Sequence, residues 1–301
     1  MKNEITVKDI LIKFMEWQME TNPLIANFTH NTVANKFLTK YPEFDENLKI
    51  KFETKTGVVS GINTIEMEKK VNIDNLYHIC KRTNLGENAR ELYKIVQLFT
   101  NAMFVDLGVK TGNSSEILLM NAYENNNHVY GIDVDFSMLS PYISCNQNYI
   151  PLYGDSVTIG EKWIRPIDLI FIDTLHVKEQ TLMELLFWYP NVKEGGYIIL
   201  HDTNWESTKH DNYGDIVWDT VDLAILKFFQ IQNLNYNDEF IEVIHYPKYN
   251  GMTFIKIKKK KDYAKNISEE DWQNIIEKRN YLIRSIWNEN NIGDLLIDLK
   301  L

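Results

Sequence analysis

Residues 103–115 read MFVDLGVKTGNSS, and the fold follows from them. Met103 to Leu107 form an apolar run of strand length, Gly108 and Gly112 let the backbone turn and approach a ligand closely, and Asn113 to Ser115 can open a helix. A strand, a glycine turn and a helix in direct succession make the opening unit of an open α/β sheet, with a polar ligand placed over the turn. The turn has neither the GxGxxG spacing of a dinucleotide site nor the GK[ST] ending of a phosphate loop, so its glycines alone do not assign a nucleotide phosphate.

The same rhythm continues downstream. HVYGID (128–133), IPLYGD (150–155), DLIFID (168–173) and YIILHD (197–202) are short apolar runs, each closing on an acid. Parallel strands covered on both faces must be apolar along their length, and their carboxyl ends line the binding crevice. Asp106, Asp133, Asp155, Asp173 and Asp202 therefore stand at candidate functional positions. Phe240 to His245 and Met252 to Ile257 complete the sheet as a late hairpin, turning through Pro247 to Gly251.

Around this core the pattern is helical. Residues 1–84 read as a mostly helical accessory or substrate-cap region, with an amphipathic helix over Thr6 to Met19, a second over Val33 to Leu38 and a small hairpin within Leu48 to Ser60. Residues 85–261 form the core, entered by a helix within Glu87 to Thr100, and residues 262–301 a helical extension opened by Ser268 as cap. The lysine run 258–261 is expected to be a solvated connection. The fold class is thus α/β: a sheet with helices on both faces, a helical N-terminal addition and a helical tail.

Composition removes several functions. The 301 residues are 44% hydrophobic and 25% charged with only 13 Gly and 7 Pro, which is globular and not low-complexity. With 42 acidic against 32 basic residues the net charge is -10, so a nucleic-acid partner is not expected. Two cysteines, Cys80 and Cys145, with no CxxC spacing, suggest neither a disulfide framework nor a cysteine metal site. The charged N-terminus and the lack of a long apolar run point to a cytoplasmic chain with no membrane partner.

Asp133 follows Gly112 by about 20 residues, the spacing at which a strand-end carboxylate receives ribose hydroxyls. Asp135 competes for that role, and a turn or cap role is the plain alternative. Gly154-Asp155-Ser156 offers close approach to a ring and an acceptor for its amine. Asp173 and Asp202 can jointly collect a hard divalent cation such as Mg²⁺, with Thr203 or Asn204 adding an oxygen ligand. His176, three residues beyond Asp173, is a candidate general base or a hydrogen-bonded helix-start histidine. His201 can touch metal, substrate or Asp173.

These residues together resemble the class I S-adenosylmethionine-dependent methyltransferases, in the small-molecule O-methyltransferase branch that includes the cephalosporin hydroxylase-like proteins. The resemblance covers residues 85–258 or so and implies a Rossmann-like sheet. It implies that VDLGVKTGNS is the cofactor loop, through Asp106, Gly108, Lys110, Gly112, Asn113 and Ser114, with Asp133 on the ribose and Asp155 and Ser156 near adenine. Lys110 stands where the family commonly has glycine. By similarity to metal-dependent catechol-type relatives, Asp173, Asp202 and Thr203, with Asn204 adjacent, hold Mg²⁺ and the substrate hydroxyls, Thr203 replacing an amide often found there. His176 falls at the position of their catalytic lysine, and His201 is a further catalytic candidate.

The implied reaction moves a methyl group from S-adenosylmethionine to a hydroxyl of a small-molecule acceptor. Trp205, His210, Tyr213, Trp218 and Asp219 are candidates for an acceptor wall, and the terminal regions for the acceptor pocket or a homodimer surface. A metal-independent or nitrogen-directed methyltransferase, a nicotinamide oxidoreductase and a noncatalytic cofactor-binding protein are the competing readings.

Overall fold

A computed structural model of the protein describes residues 76, 79–81, 83, 85–120, 122–144, 146–204, 221–262 and 267–287. The elements expected over residues 6–19, 33–38 and 48–60, together with Cys145, Trp205, His210, Tyr213, Trp218 and Asp219, lie outside the described residues. Helix α1 (Asn88–Val96) leads into β1 (Met103–Leu107), α2 (Asn113–Leu119), α3 (Ala122–Asn125), β2 (His128–Asp133), α4 (Pro141–Ser144) and β3 (Tyr149–Tyr153). There follow α5 (Ser156–Lys162), β4 (Ile167–Ile172), α6 (Lys178–Trp188), β5 (Val192–His201), α7 (Val221–Gln232), β6 (Ile241–Tyr246), β7 (Met252–Ile257) and α8 (Glu269–Trp287).

The strands make a seven-stranded sheet in the order β3-β2-β1-β4-β5-β7-β6. Its first five positions follow the doubly wound Rossmann order. The β1/β2, β2/β3 and β4/β5 pairs are parallel, whereas β7 runs antiparallel to both β5 and β6. The reversal follows from the short turn Pro247 to Gly251, because only antiparallel neighbours can be joined so briefly. Two compact units divide the chain, one holding Ala89–Asp155 and the other Ser156 onward with Arg82–Asn88.

In the first unit, Phe104, Val105, Leu107 and Val129 are fully buried on β1 and β2, as strands covered on both faces require. Asp106 is the exception within β1: it is buried, and its Oδ2 accepts hydrogen bonds from the hydroxyls of Ser114 (2.9 Å) and Ser115. Those bonds tie the start of α2 to the strand it leaves. Helix α2 departs from Gly112, whose φ of +89° lies in the left-handed region. A Cβ there would also meet Ile143 Cδ1 at 2.5 Å, so both backbone and packing demand glycine.

In the second unit, α5 and α6 meet at Trp188. Its fully buried indole lies 5.1 Å from the Trp163 ring and donates through Nε1 to the Ser156 carbonyl at 3.0 Å. Tyr189, at the end of α6, stacks edge-on against Phe228 of α7 at 5.3 Å. Each such side chain contributes about 1.5–3 kcal/mol through apolar burial. Helix α8 is capped as expected, Ser268 Oγ accepting from the Asp271 amide at 3.0 Å. It is fastened to α6 by Arg279 Nε donating to Gln180 Oε1 (2.6 Å), by Lys278 against Glu179 (3.0 Å) and by Trp272 against Phe187.

The lysine run departs from the solvated connection expected of it. Lys260 Nζ donates to the carbonyls of Tyr189 and Pro190, both at 2.9 Å, and lies 5.0 Å from the Tyr189 ring centroid. Carbonyls at the end of a helix and an aromatic face both attract an ammonium. Partial burial lowers the Lys260 pKa to about 8 although Glu194 opposes the shift. Among the described residues no helix is long and apolar enough to cross a membrane.

The α5–α6 contact can be tested at Gly160, where an added Cβ would meet Trp188 Nε1 at 2.5 Å. Alanine in a helix interior ordinarily gains about 1 kcal/mol over glycine. Overpacking against a fixed indole costs about 1–3 kcal/mol. Gly160→Ala is therefore expected to lower the urea midpoint, and a raised midpoint would show that the indole yields.

Candidate functional site

Two groups of the expected residues are assembled, one in each unit. In the first unit the chain after β1 passes through Gly108 (φ +84°), Lys110 (φ +50°) and Gly112 (φ +89°). The Lys110 backbone thus adopts the left-handed conformation that favours glycine. This conformation accompanies a Lys110 amide that donates to Asp133 Oδ2 at 2.8 Å, while the Asp135 amide donates to Asp133 Oδ1 at 3.0 Å. Each carboxylate oxygen keeps capacity for a further donor. Burial pushes the Asp133 carboxyl above its ordinary value, and the loop amides oppose that shift without cancelling it.

Asn113 begins α2, and Asp155 is buried just after β3. Ser114 and Asp106 are bonded to one another, and neither presents a bare polar surface. Ser156, in the second unit, donates to Glu184 Oε1 and accepts from Gln180 Nε2 at 2.9 Å.

The second group gathers at the ends of β4 and β5. Asp173 follows β4, and Asp202 follows His201, the last residue of β5. Successive residues of a strand point to opposite faces, so two neighbours can reach one site only if the chain bends between them. Asp202 supplies that bend with a φ of +55°. His201 Nδ1 consequently lies 3.3 Å from Asp202 Oδ1 and 3.4 Å from Asp173 Oδ1. His176 Nε2 closes the cluster from the more exposed side, 2.7 Å from Asp202 Oδ2 and 3.1 Å from Asp173 Oδ1.

One atom from each of Asp173, His201 and Asp202 can be chosen so that all three lie within 4.8 Å of one another. That spacing is on the scale of two metal–ligand bonds. Both His201 nitrogens and Asp202 Oδ1 are buried without a hydrogen-bond partner. Buried polar atoms left unmatched cost about 1–3 kcal/mol each, and a shared cation would satisfy those turned to the cluster. The donor set therefore fits a divalent ion.

Without a cation the cluster holds protons tightly. Burial depresses the His176 and His201 imidazoles, but the carboxylates of Asp173 and Asp202 beside them outweigh it and raise both to about 10. Burial raises the two carboxyls, and the histidines overcome that and hold both below the ordinary carboxylate range.

Residues 105–203, which span the turn after β1 and the cluster after β5, match the family model described as a methyltransferase domain. Over those residues the chain is similar to a methyltransferase domain. The match agrees with the resemblance carried by VDLGVKTGNS. No curated protein matches the chain. Among solved structures, the chain is similar to the SAH-bound methyltransferase PaMTH1 of Podospora anserina, at 13% identity and a TM-score of 0.45, covering 72% of this chain and 96% of that one. It is also similar to an O-methyltransferase of Bacillus cereus in complex with SAH, at 16% identity and a TM-score of 0.44, covering 67% and 94%.

The residues after Asp202 turn toward the β6–β7 hairpin. Thr203 Oγ1 accepts from Thr253 Oγ1 at 2.9 Å, and Asn204 Nδ2 donates to the Pro247 carbonyl at 3.0 Å. His201 stands beside Asp173 and Asp202, within reach of the same point. One supporting group escaped the sequence reading. Glu184 on α6 is fully buried and accepts from Ser156, from Gln180 Nε2 (2.8 Å) and from Thr174 Oγ1 (3.0 Å), the neighbour of Asp173. Its signal was an acid standing inside the apolar run LMELLFW, where only a satisfied charge is tolerated.

The histidine shifts predict a pH dependence of the chelator-treated protein. A folded-state pKa near 10 against an ordinary 6.5 means that the stabilisation is full below pH 6.5 and is lost as the pH rises through 10. The stability gap between the wild type and His176→Gln is expected to narrow across that window, with the imidazole Hε1 signal titrating near its upper end. A midpoint near 6.5 would contradict the ion pairs.

Proposed function

We propose that the protein transfers the methyl group of S-adenosylmethionine to a hydroxyl of a small acceptor, assisted by a divalent cation held at Asp173, His201 and Asp202. The observation that carries this reading is the convergence of two carboxylates and a buried imidazole after β4 and β5. On this reading the Gly108 to Ser114 turn receives the cofactor, Asp133 takes its ribose hydroxyls, and Asp155 and Ser156 border the adenine. Mg²⁺ is the ion that an oxygen-rich site implies. When bound, a divalent ion supplies electrostatic stabilisation to an oxygen that is losing its proton.

The remaining work falls to side chains. His176 is 39% exposed, so its Nε2 can exchange a proton with an acceptor or with solvent. A cation that neutralised the two carboxylates would weaken their hold on the His176 proton, and the imidazole would then accept the hydroxyl proton. The acceptor oxygen forms a bond to the methyl carbon as the carbon–sulfur bond breaks, leaving S-adenosylhomocysteine. No covalent enzyme intermediate is required, and most of the acceleration comes from orientation and charge stabilisation. A homodimer and an aromatic acceptor are further parts of the same proposal.

Asp173→Asn and Asp202→Asn are expected to lower turnover by about 100-fold or more while S-adenosylhomocysteine affinity changes little. Asp133→Ala is expected to weaken S-adenosylhomocysteine binding by about 10- to 100-fold, since a hydrogen bond to a charged group contributes roughly 1.5–3 kcal/mol. Calorimetric titration and a methyl-transfer assay over a panel of hydroxyl and amine acceptors separate the two effects. Full turnover in chelator, or in both metal-site variants, would remove the cation from the reaction.

A further inference from the structure

We propose that His201 makes this a mixed nitrogen–oxygen site that selects first-row transition ions, Mn²⁺ included, over Mg²⁺. The inference rests on the divalent-cation reading of the site and concerns which ion it takes. The His201 side chain is 1% exposed, with neither ring nitrogen hydrogen-bonded, and its Nδ1 faces the two carboxylates. The ring lies 6.5 Å from Phe171 at a 30° tilt, packed beside the apolar end of β4. Burying an imidazole with both nitrogens unmatched is costly, and a coordinate bond at Nδ1 removes part of that cost.

The oxygens that could have made the site harder are directed elsewhere. Thr203 accepts from Thr253, and the Asn204 amide group is bonded to Pro247. His176 lies against Asp202 Oδ2, which leaves Asp202 Oδ1 for the ion. The set offered is therefore two carboxylate oxygens and one imidazole nitrogen. Mg²⁺ favours all-oxygen coordination and gives up its waters reluctantly, whereas imidazole nitrogen bonds first-row transition ions progressively better along the series from Mn²⁺. The nitrogen is the element of choice in this site, because any carboxylate pair binds both kinds of ion.

The test uses the full chain stripped with chelator and titrated calorimetrically with MnCl₂ and with MgCl₂. Pulsed electron paramagnetic resonance of the Mn²⁺-loaded protein then reads nitrogen coupling at the metal. Mn²⁺ is expected to bind at least ~10-fold tighter than Mg²⁺, with nitrogen coupling that persists in His176→Gln and vanishes in His201→Asn. The Mn²⁺ preference is expected to fall several-fold in His201→Asn, chiefly through weaker Mn²⁺ binding. Mn²⁺ bound without nitrogen coupling, or coupling unchanged in His201→Asn, overturns the inference and leaves the cation reading standing. Absence of binding by either ion overturns both. Should His201→Asn fail to fold, coupling in the wild type that survives His176→Gln still decides the matter.

Discussion

A strand covered on both faces has no room for an unmatched charge, so polar chemistry is driven to its carboxyl end. The remainder of this protein is arranged around that constraint. Phe104, Val105, Leu107, Ile170, Phe171, Ile199 and Leu200 are fully buried along the strands, and the acids that follow them are where ligands can be met. Asp106 and Asp168 lie within β1 and β4, and each is held by a partner. Asp106 accepts two serine hydroxyls, and Asp168 pairs with Lys193 at 2.8 Å.

The same constraint explains the cost built into the cluster after β5. Two carboxylates close together in a part-buried site repel each other unless positive charge intervenes. His176 and His201 supply it as imidazoliums, and a divalent ion is the other way to supply it. The left-handed backbone at Asp202 allows His201 and Asp202 to face one point, and such strain persists only where surrounding contacts hold it. The Thr203 and Asn204 bonds to the β6–β7 hairpin are such contacts, so the antiparallel end of the sheet has a direct part in shaping the site.

In the first unit the turn after β1 is held from within. The Lys110 amide, presented by a backbone conformation unusual for lysine, meets Asp133, while Ser114 and Ser115 tie the following helix to Asp106. Asp133 is thereby oriented before any ligand arrives, and preorganisation of this kind lowers the entropy cost of binding.

Periodicity alone determined the strand-and-helix order from β1 to β7, because apolar runs closing on acids can be buried in few other ways. It also placed Asp133, Asp173, Asp202 and His176 at the ends where they stand. His201 stood among the candidates for contact with metal, substrate or Asp173, but adjacent strand residues normally diverge and nothing in YIILHDTN announces the bend at Asp202 that turns both to one point. Nor could sequence tell that Thr203 and Asn204 would be drawn to a hairpin some fifty residues later, or that Lys260 would seat on Tyr189. Local spacing carries secondary structure and strand ends. Which atoms share a site depends on long-range packing and backbone strain, and these exist only once the sheet is assembled.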